Sequence, residues 1–373
     1  MATRTRRPLV PLLRAEIPLL FTATTTGVLL AFGNVLTANL AQPLGYAALF
    51  FWLFAAVLWS ALAVVRHADH LAAQLGEPYG TLILTLSVIS IEVMMISALM
   101  LSGENNPTLA RDTMFSVVMI VLNGMVGTAL LLGGLRYREQ QYNLQGANAY
   151  LSVILPLAVL GLVLPGFTDA TPDATFSSLQ AGFLIFMSTG LYGVFLAIQT
   201  SRHRAYFTAA AESTDNSHTA DETRSIAYHA VLLVVYLLPV VILSKKLALP
   251  VDYGIEVLGA PPGLGGFIIA ALVLAPEALG AIRAALSNHL QRAINIFLGS
   301  VLATIGLTIP AVLAIGLATG KSVVLGLAGA NLVMLLLTLI VSVVTFASGR
   351  TNVLQGAVHL LLFLAYLMLI FEH

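Results

Sequence analysis

The chain has 373 residues, 58% of them apolar and only 9% charged, with a net charge of zero and no cysteine. Soluble domains carry roughly 25% charged residues, so hydrocarbon must surround most of this chain. The neutral balance gives no global field for nucleic acid, and the missing cysteines exclude disulfides, thiolate metal sites and cysteine nucleophiles.

The chain opens on Arg4, Arg6, Arg7 and Arg14, followed by a long apolar stretch without an obvious small-x-small cleavage site. It therefore reads as a retained first helix rather than a signal peptide. Crossing a bilayer takes about 20 apolar residues. Eleven segments qualify: 17–37, 44–65, 80–102, 113–135, 148–166, 177–199, 226–247, 264–286, 293–318, 322–346 and 353–371. In lipid their backbones must be satisfied internally, so the expected fold class is an all-α integral membrane protein. If the N-terminus is cytoplasmic, that side holds Arg4, Arg6, Arg7, Arg14, Arg66, Arg136, Arg138, Arg202, Arg204, Arg224, Arg283, Arg292 and Arg350. The other side then holds Arg111, Lys245, Lys246 and Lys321. The positive-inside rule favours this orientation, with His373 external and the chain multi-pass in a plasma (inner) membrane.

The loop at 200–225 is polar and mixed in charge. It reads either as a connector between halves or as a segment whose Glu212, Asp215, Asp221 and Glu222 sense cations. It divides the chain into an N-terminal part with the extra helix (1–43), a first five-helix unit (44–199) and a second (226–373). Five is odd, so the second unit enters the membrane from the opposite side, the inverted-repeat plan of many secondary transporters. Glu92 and Glu277 lie 185 residues apart, each near the middle of its helix, and at the same offset Gly80 falls on Gly265. Arg111 and Arg292 lie 181 residues apart, each ahead of the next apolar run.

A carboxylate at mid-membrane costs about 2.5–3.5 kcal/mol on insertion scales. One such glutamate can be a protonated structural group. Two at matching positions of an inverted repeat point instead to an ion site. Arg283 does not neutralise Glu277: six residues turn a helix through about 600°, leaving the side chains about 120° apart in direction and about 9 Å apart along the axis. It can snorkel to the interface. The neutralising species is then mobile, a proton or a metal cation. Ca²⁺ favours six to eight oxygen ligands. Candidates beside the two carboxylates are Ser87, Ser90, Asn123, Ser300 and Thr304, with carbonyls freed by Pro276; each hydroxyl can equally serve ordinary helix packing. A site loaded with Ca²⁺ or with protons is near neutral and can cross the membrane, whereas an empty, doubly charged one cannot cross easily. Exchange follows from that difference.

The stretches LGEPYGTLILTLSVISIEV (75–93) and LAPEALGAIRAALSNHLQRAINIFLGSVLATIGLTIP (274–310) resemble the two α-repeats of the cation/calcium exchanger superfamily. The likeness is strongest to its bacterial calcium/proton antiporter branch, the ChaA type, which VVRHAD (64–69) and GRTNVLQGAVHLLLFLAYLMLIF (349–371) also resemble. The resemblance covers most of 60–371. It implies eleven helices, alternating access, Glu92 and Glu277 as the ion site, and supporting roles for Asn123 and for Gly299-Ser300. There are departures. Where the vacuolar branch has Gly-Asn before each repeat glutamate, this chain has Val88-Ile89-Ser90-Ile91 and Leu274-Ala275-Pro276. A glutamine of that branch reads as Ala303 here. The site is poorer in amides, and the bacterial branch is associated with Na⁺ and K⁺ exchange as well as Ca²⁺.

Glu77, His67 and Asp69 are expected at the cytoplasmic mouth. Glu77 suits a helix N-terminus or a proton relay; His67 and His70 flank Asp69, and histidine titrates near neutral pH. No phosphate loop is present, so ATP-driven transport is not expected and no cofactor is implied. The partners are the lipid bilayer and the transported ions; oligomeric state is left open. An intramembrane enzyme would need a catalytic pair, and His359 has no evident link to Ser342 or Ser348. A channel would favour a ring of charges over one closed pair. The expectation is a Ca²⁺/H⁺ antiporter, with a Na⁺/H⁺ and K⁺/H⁺ antiporter on the same scaffold as the alternative.

Overall fold

The computed structural model describes residues 16–76, 79–102, 107–171, 173–208 and 224–372. Glu77, His373, Arg4, Arg6, Arg7, Arg14 and the candidate cation sensors Glu212, Asp215, Asp221 and Glu222 lie outside the described residues.

Among the described residues eleven helices make up the fold: α1 (Ile17–Ala38), α2 (Pro43–Leu75), α3 (Tyr79–Ser102), α4 (Leu109–Tyr137), α5 (Leu144–Phe167), α6 (Ser178–Arg202), α7 (Ile226–Glu256), α8 (Gly263–Leu286), α9 (Leu290–Thr319), α10 (Gly329–Thr345) and α11 (Val353–Phe371). Among the described residues nine are long and apolar enough to cross a bilayer, while the apolar stretch Ile17–Gly33 of α1 and the whole of α10 are shorter. Polar residues set several starts. Ser177 and Gln180 close a capping box on α6, Asn352 and Gln355 do so on α11, and the Asn143 side chain caps α5.

Three expected spans are corrected. Helix α2 runs ten residues past 65, because RHADHLAAQL continues as good helix after the apolar run ends. Helix α7 continues through SKKLALPVDYGIE to Glu256, so Lys245 and Lys246 lie within it rather than in a loop after it. At 31 residues α7 is about 47 Å long, well beyond the roughly 30 Å hydrocarbon thickness. The apolar stretch 322–346 is helical only from Gly329. Residues 321–328 are neither helix nor strand, between Gly320 at φ 68° and Gly329 at φ 53°. Their backbone is satisfied across the fold: Val324 N–H donates to the Pro107 carbonyl, Gly326 N–H to Ala174 and Leu327 N–H to Leu162. Leu325 and Leu327 are buried, so this non-helical backbone is sheltered by protein rather than by lipid.

Contacts between loops show which helix ends lie together. Tyr137 Oη donates to the Leu286 carbonyl and Gln140 Nε2 to Ala285, both at 2.8 Å, and Gln140–Gln141 pair antiparallel with Arg350–Thr351. At the opposite end Lys321 Nζ donates to the Met100 carbonyl at 2.6 Å, and Arg111 to Gly326 at 3.3 Å. The start of α8 packs on the start of α4 at Gly266 and Asp112, so α8 runs antiparallel to α3.

Two apolar cores form. The larger joins α3, α4, α5, α6, α8, α9, α10 and α11; the smaller joins α1, α2, α3, α7 and α8. Helices α3 and α8 serve both. Ile89 and Ile96 face the larger core while Ile91 and Met95 face the smaller; Ala270 and Leu274 divide from Ile269 and Val273 in the same way. The two glutamates are therefore carried on the helices that form the seam.

Candidate ion site

Glu92 lies midway along α3 and is buried, 3% exposed. Its Oε2 accepts hydrogen bonds from Thr304 and Thr308 of α9, both at 3.0 Å. Its Oε1 is buried without a hydrogen-bond partner among the described residues. Glu277 lies midway along α8 and is partly exposed. Its Oε2 accepts from Ser300 of α9 at 2.6 Å. Neither carboxylate makes an ion pair among the described residues. Arg283 is exposed, consistent with snorkelling.

Both glutamates line one cavity of about 510 Å³, together with Ser300, Thr304 and Pro276. Helix α8 is continuous through Pro276; the proline still removes the N–H that would have bonded Leu272. On α9, Ser300, Thr304 and Thr308 repeat every four residues, which puts three hydroxyls on one stripe facing both carboxylates. The stripe is adjusted locally, because Thr304–Thr308 is a π-helical turn. Its counterpart α4, which follows Glu92's helix as α9 follows Glu277's, has its own π turn at Ile120–Met125. Such turns widen a helix and recur at functional sites.

The remaining expected ligands lie elsewhere. The Ser87 and Ser90 hydroxyls donate to carbonyls of their own helix, Ile83 and Leu86, both at 2.6 Å, and neither residue lines the cavity. Asn123, at the position 181 residues before Thr304, is fully buried outside the cavity. Its Nδ2 donates to Thr338 at 2.8 Å, and its Oδ1 meets His359 Nδ1 at 3.2 Å. His67 does not face the mouth: it is 1% exposed, with Nδ1 3.0 Å from His229 Nδ1 and Nε2 3.5 Å from Glu16. Asp69 does line the cavity.

Several lining groups carry no signal in the sequence. Tyr150 Oη accepts from Gln199 Nε2 at 2.8 Å. Residues 203–208 are not a loose connector: Asn295 Nδ2 donates to the Phe207 carbonyl at 2.6 Å, and the Phe207 ring packs edge-on against Tyr150 and Phe195. This fold-back brings Arg204 to the cavity, which Asp69 and Arg292 also line. The cavity thus runs from the mid-helix carboxylates to the helix ends that carry most of the arginines.

Away from the cavity, Glu16 just before α1 joins three helices. Arg66 donates to it at 3.1 Å, and the Tyr228 and Tyr236 hydroxyls each at 2.8 Å. Burial alone raises this carboxyl, but the bonds from His67, Tyr228 and Tyr236 and the Arg66 charge more than reverse that, bringing it down to about 2. Among the described residues no group of three or more His, Asp or Glu is placed to hold a metal ion. A cation at the site would rest on two carboxylates, the hydroxyl stripe and backbone oxygens.

The family model for the sodium/calcium exchanger protein matches residues 45–201 and 228–372, breaking where the 200–225 loop falls. The chain is 43% identical over 360 residues to the sodium-potassium/proton antiporter ChaA of Escherichia coli (strain K12), covering 95% of this chain and 96% of that one. It is 47% identical over 308 residues to the putative ionic transporter y4hA of Sinorhizobium fredii (strain NBRC 101917 / NGR234), with 82% and 84% covered. Among solved structures it superposes on native YfkE with a TM-score of 0.73 at 18% identity, covering 96% of this chain and 100% of that one. On the H⁺/Ca²⁺ exchanger CAX the TM-score is 0.65 at 13% identity, with 95% and 88% covered. These likenesses bear out the ChaA-type resemblance and the all-helical fold. The chain belongs to the sodium/calcium exchanger protein family, and it is a membrane antiporter rather than an enzyme.

Proposed function

We propose that the protein exchanges a metal cation for protons by alternating access at Glu92 and Glu277. The observation that carries this reading is the pairing of two mid-helix carboxylates in one cavity, each hydrogen-bonded by hydroxyls and neither ion-paired among the described residues. An intramembrane carboxylate with no fixed counter-charge needs a mobile one. Glu92 Oε1, buried without a partner, suits a proton or a metal ion. Two carboxylates balance one Ca²⁺, and Ser300, Thr304 and Thr308 add hard oxygen donors. This supports Ca²⁺/H⁺ exchange, the activity named for a relative from Aphanothece halophytica that is 23% identical. The 43% identity to a sodium-potassium/proton antiporter favours a second reading, in which Na⁺ or K⁺ is carried at the same site.

The arginine-rich helix ends are assigned to the cytoplasm of an inner membrane, so the cavity is open inward in this conformation. The two five-helix units, 44–199 and 226–373, are inverted repeats, and α1 is the extra helix. In everted vesicles, Ca²⁺, Na⁺ or K⁺ should dissipate an imposed pH gradient. Glu92→Gln and Glu277→Gln keep size and hydrogen bonding but remove the titratable charge. Each should abolish exchange at normal expression. Wild-type flux in either variant would remove that residue from the ion site.

A further inference from the structure

Among the described residues three charged side chains line the outer part of the cavity: Asp69 of α2, Arg204 just after α6, and Arg292 near the start of α9. None of the three makes an ion pair or a side-chain hydrogen bond among the described residues, and all three are exposed. Their sum is one positive charge, at the entrance of a route that leads to two carboxylates. A vestibule serving only to gather cations would carry the opposite sign.

Building on the proposed ion site, we propose that Arg204 and Arg292 act as an electrostatic filter that disfavours divalent cations relative to monovalent ones. The physical reason is the charge exponent. A cation at local potential ψ is depleted by a Boltzmann factor whose exponent scales with its valence, so the factor for a divalent ion is the square of that for a monovalent ion. A unit charge about 7 Å away through water-like solvent interacts with a monovalent ion at about thermal energy. Each arginine then depletes a monovalent ion about threefold and a divalent ion about sevenfold to eightfold, tilting the ratio about threefold toward the monovalent ion. Asp69 tilts it back by a similar factor. The filter lies outside the binding site proper, so it changes which cation arrives without changing the ligands.

The filter is tested in everted vesicles at about 10 mM ionic strength, where the Debye length is near 30 Å. The quantity measured is the ratio of KM for Ca²⁺ to KM for Na⁺. Arg204→Gln and Arg292→Gln should each lower that ratio about threefold, and the double variant about sevenfold to eightfold. Asp69→Asn should raise it. Arg204→Lys and Arg292→Lys keep the charge and should keep the wild-type ratio, which separates charge from shape and from misfolding. Adding choline chloride to about 0.5 M should shrink every difference by screening. An unchanged ratio in the double variant at low salt overturns the filter. So does a changed ratio that lysine fails to restore or that added salt leaves intact. Wild-type vesicles that exchange neither ion would instead overturn the proposed function itself.

Discussion

Thr304 of α9 donates its hydroxyl to Glu92 of α3 at 3.0 Å, joining the second half of the chain to the glutamate of the first. Thr308 reaches the same oxygen at the same distance. A hydrogen bond to a charged group contributes about 1.5–3 kcal/mol, and 1.4 kcal/mol is a factor of about ten in affinity. Thr304→Val keeps the shape and removes the donor, so the cation KM should rise about tenfold or more. Thr308→Val should do likewise, and the double variant should cost less than the sum because both donors share one acceptor. Ser87→Ala is the comparator, since that hydroxyl bonds its own helix. A KM increase in Ser87→Ala as large as in Thr304→Val would detach the cavity from the ion path.

Hydrogen bonds and the Arg66 charge hold the Glu16 carboxyl well below the usual carboxylate range. Its folded value near 2 lies below the ordinary 4.5, so its contribution to stability is full above about 4.5 and is lost as pH falls toward 2. At pH 7, Glu16→Gln should lower the melting temperature of purified protein. The gap between wild type and variant should narrow only as the pH is taken from about 4.5 toward 2. A gap that closes between pH 6 and 8 would mean that a histidine of this cluster, not Glu16, sets the clamp.

The cysteine-free chain allows sidedness to be read directly. Ser348 lies on the arginine-rich end beside the 350–351 strand, Thr319 lies at the opposite end of α9, and both are exposed. In intact cells an impermeant maleimide should label Thr319→Cys and leave Ser348→Cys unlabelled until the membrane is opened. Labelling of Ser348→Cys alone in intact cells would reverse the assigned orientation.

What the sequence made legible follows from cost. Glu92 and Glu277 stand out because a carboxylate in an apolar run is expensive, and Ser300 and Thr304 follow from the same helix face. Thr308, four residues beyond Thr304, lies one step further along that face. Ser87 and Ser90 looked equally good as ligands. A hydroxyl in an apolar helix can satisfy itself on the carbonyl four residues back, and both do so. The limits of α2 and α7 were misjudged because hydropathy marks where lipid ends, not where a helix ends. The non-helical segment 321–328 is as apolar as a span and gives no warning beyond its glycines. The π turns of α4 and α9 have no signature in composition. The fold-back of 203–208 depends on Asn295, 88 residues beyond Phe207, and no local pattern announces it.

His359 has a partner, Asn123, that no sequence pattern reveals. Asn123 Oδ1 can only accept, so the 3.2 Å contact requires a proton on His359 Nδ1. In the neutral ring Nε2 then accepts from the Thr345 hydroxyl at 2.9 Å. With Asn123 Nδ2 bonded to Thr338, this chain of bonds ties α4, α10 and α11 together at full burial. His359→Ala would leave Asn123 Oδ1 and Thr345 Oγ1 each short of a partner, at about 1–3 kcal/mol for each group left unsatisfied in the interior. It would also open a cavity where the ring was. The melting temperature should fall by several degrees. His359→Gln can still present one donor and one acceptor, and it should recover part of that loss. In both variants the cation KM of the remaining folded protein should stay close to wild type, because none of these side chains lines the cavity. A large KM change in His359→Gln at unaltered stability would place this network in the ion path instead of in the scaffold around it.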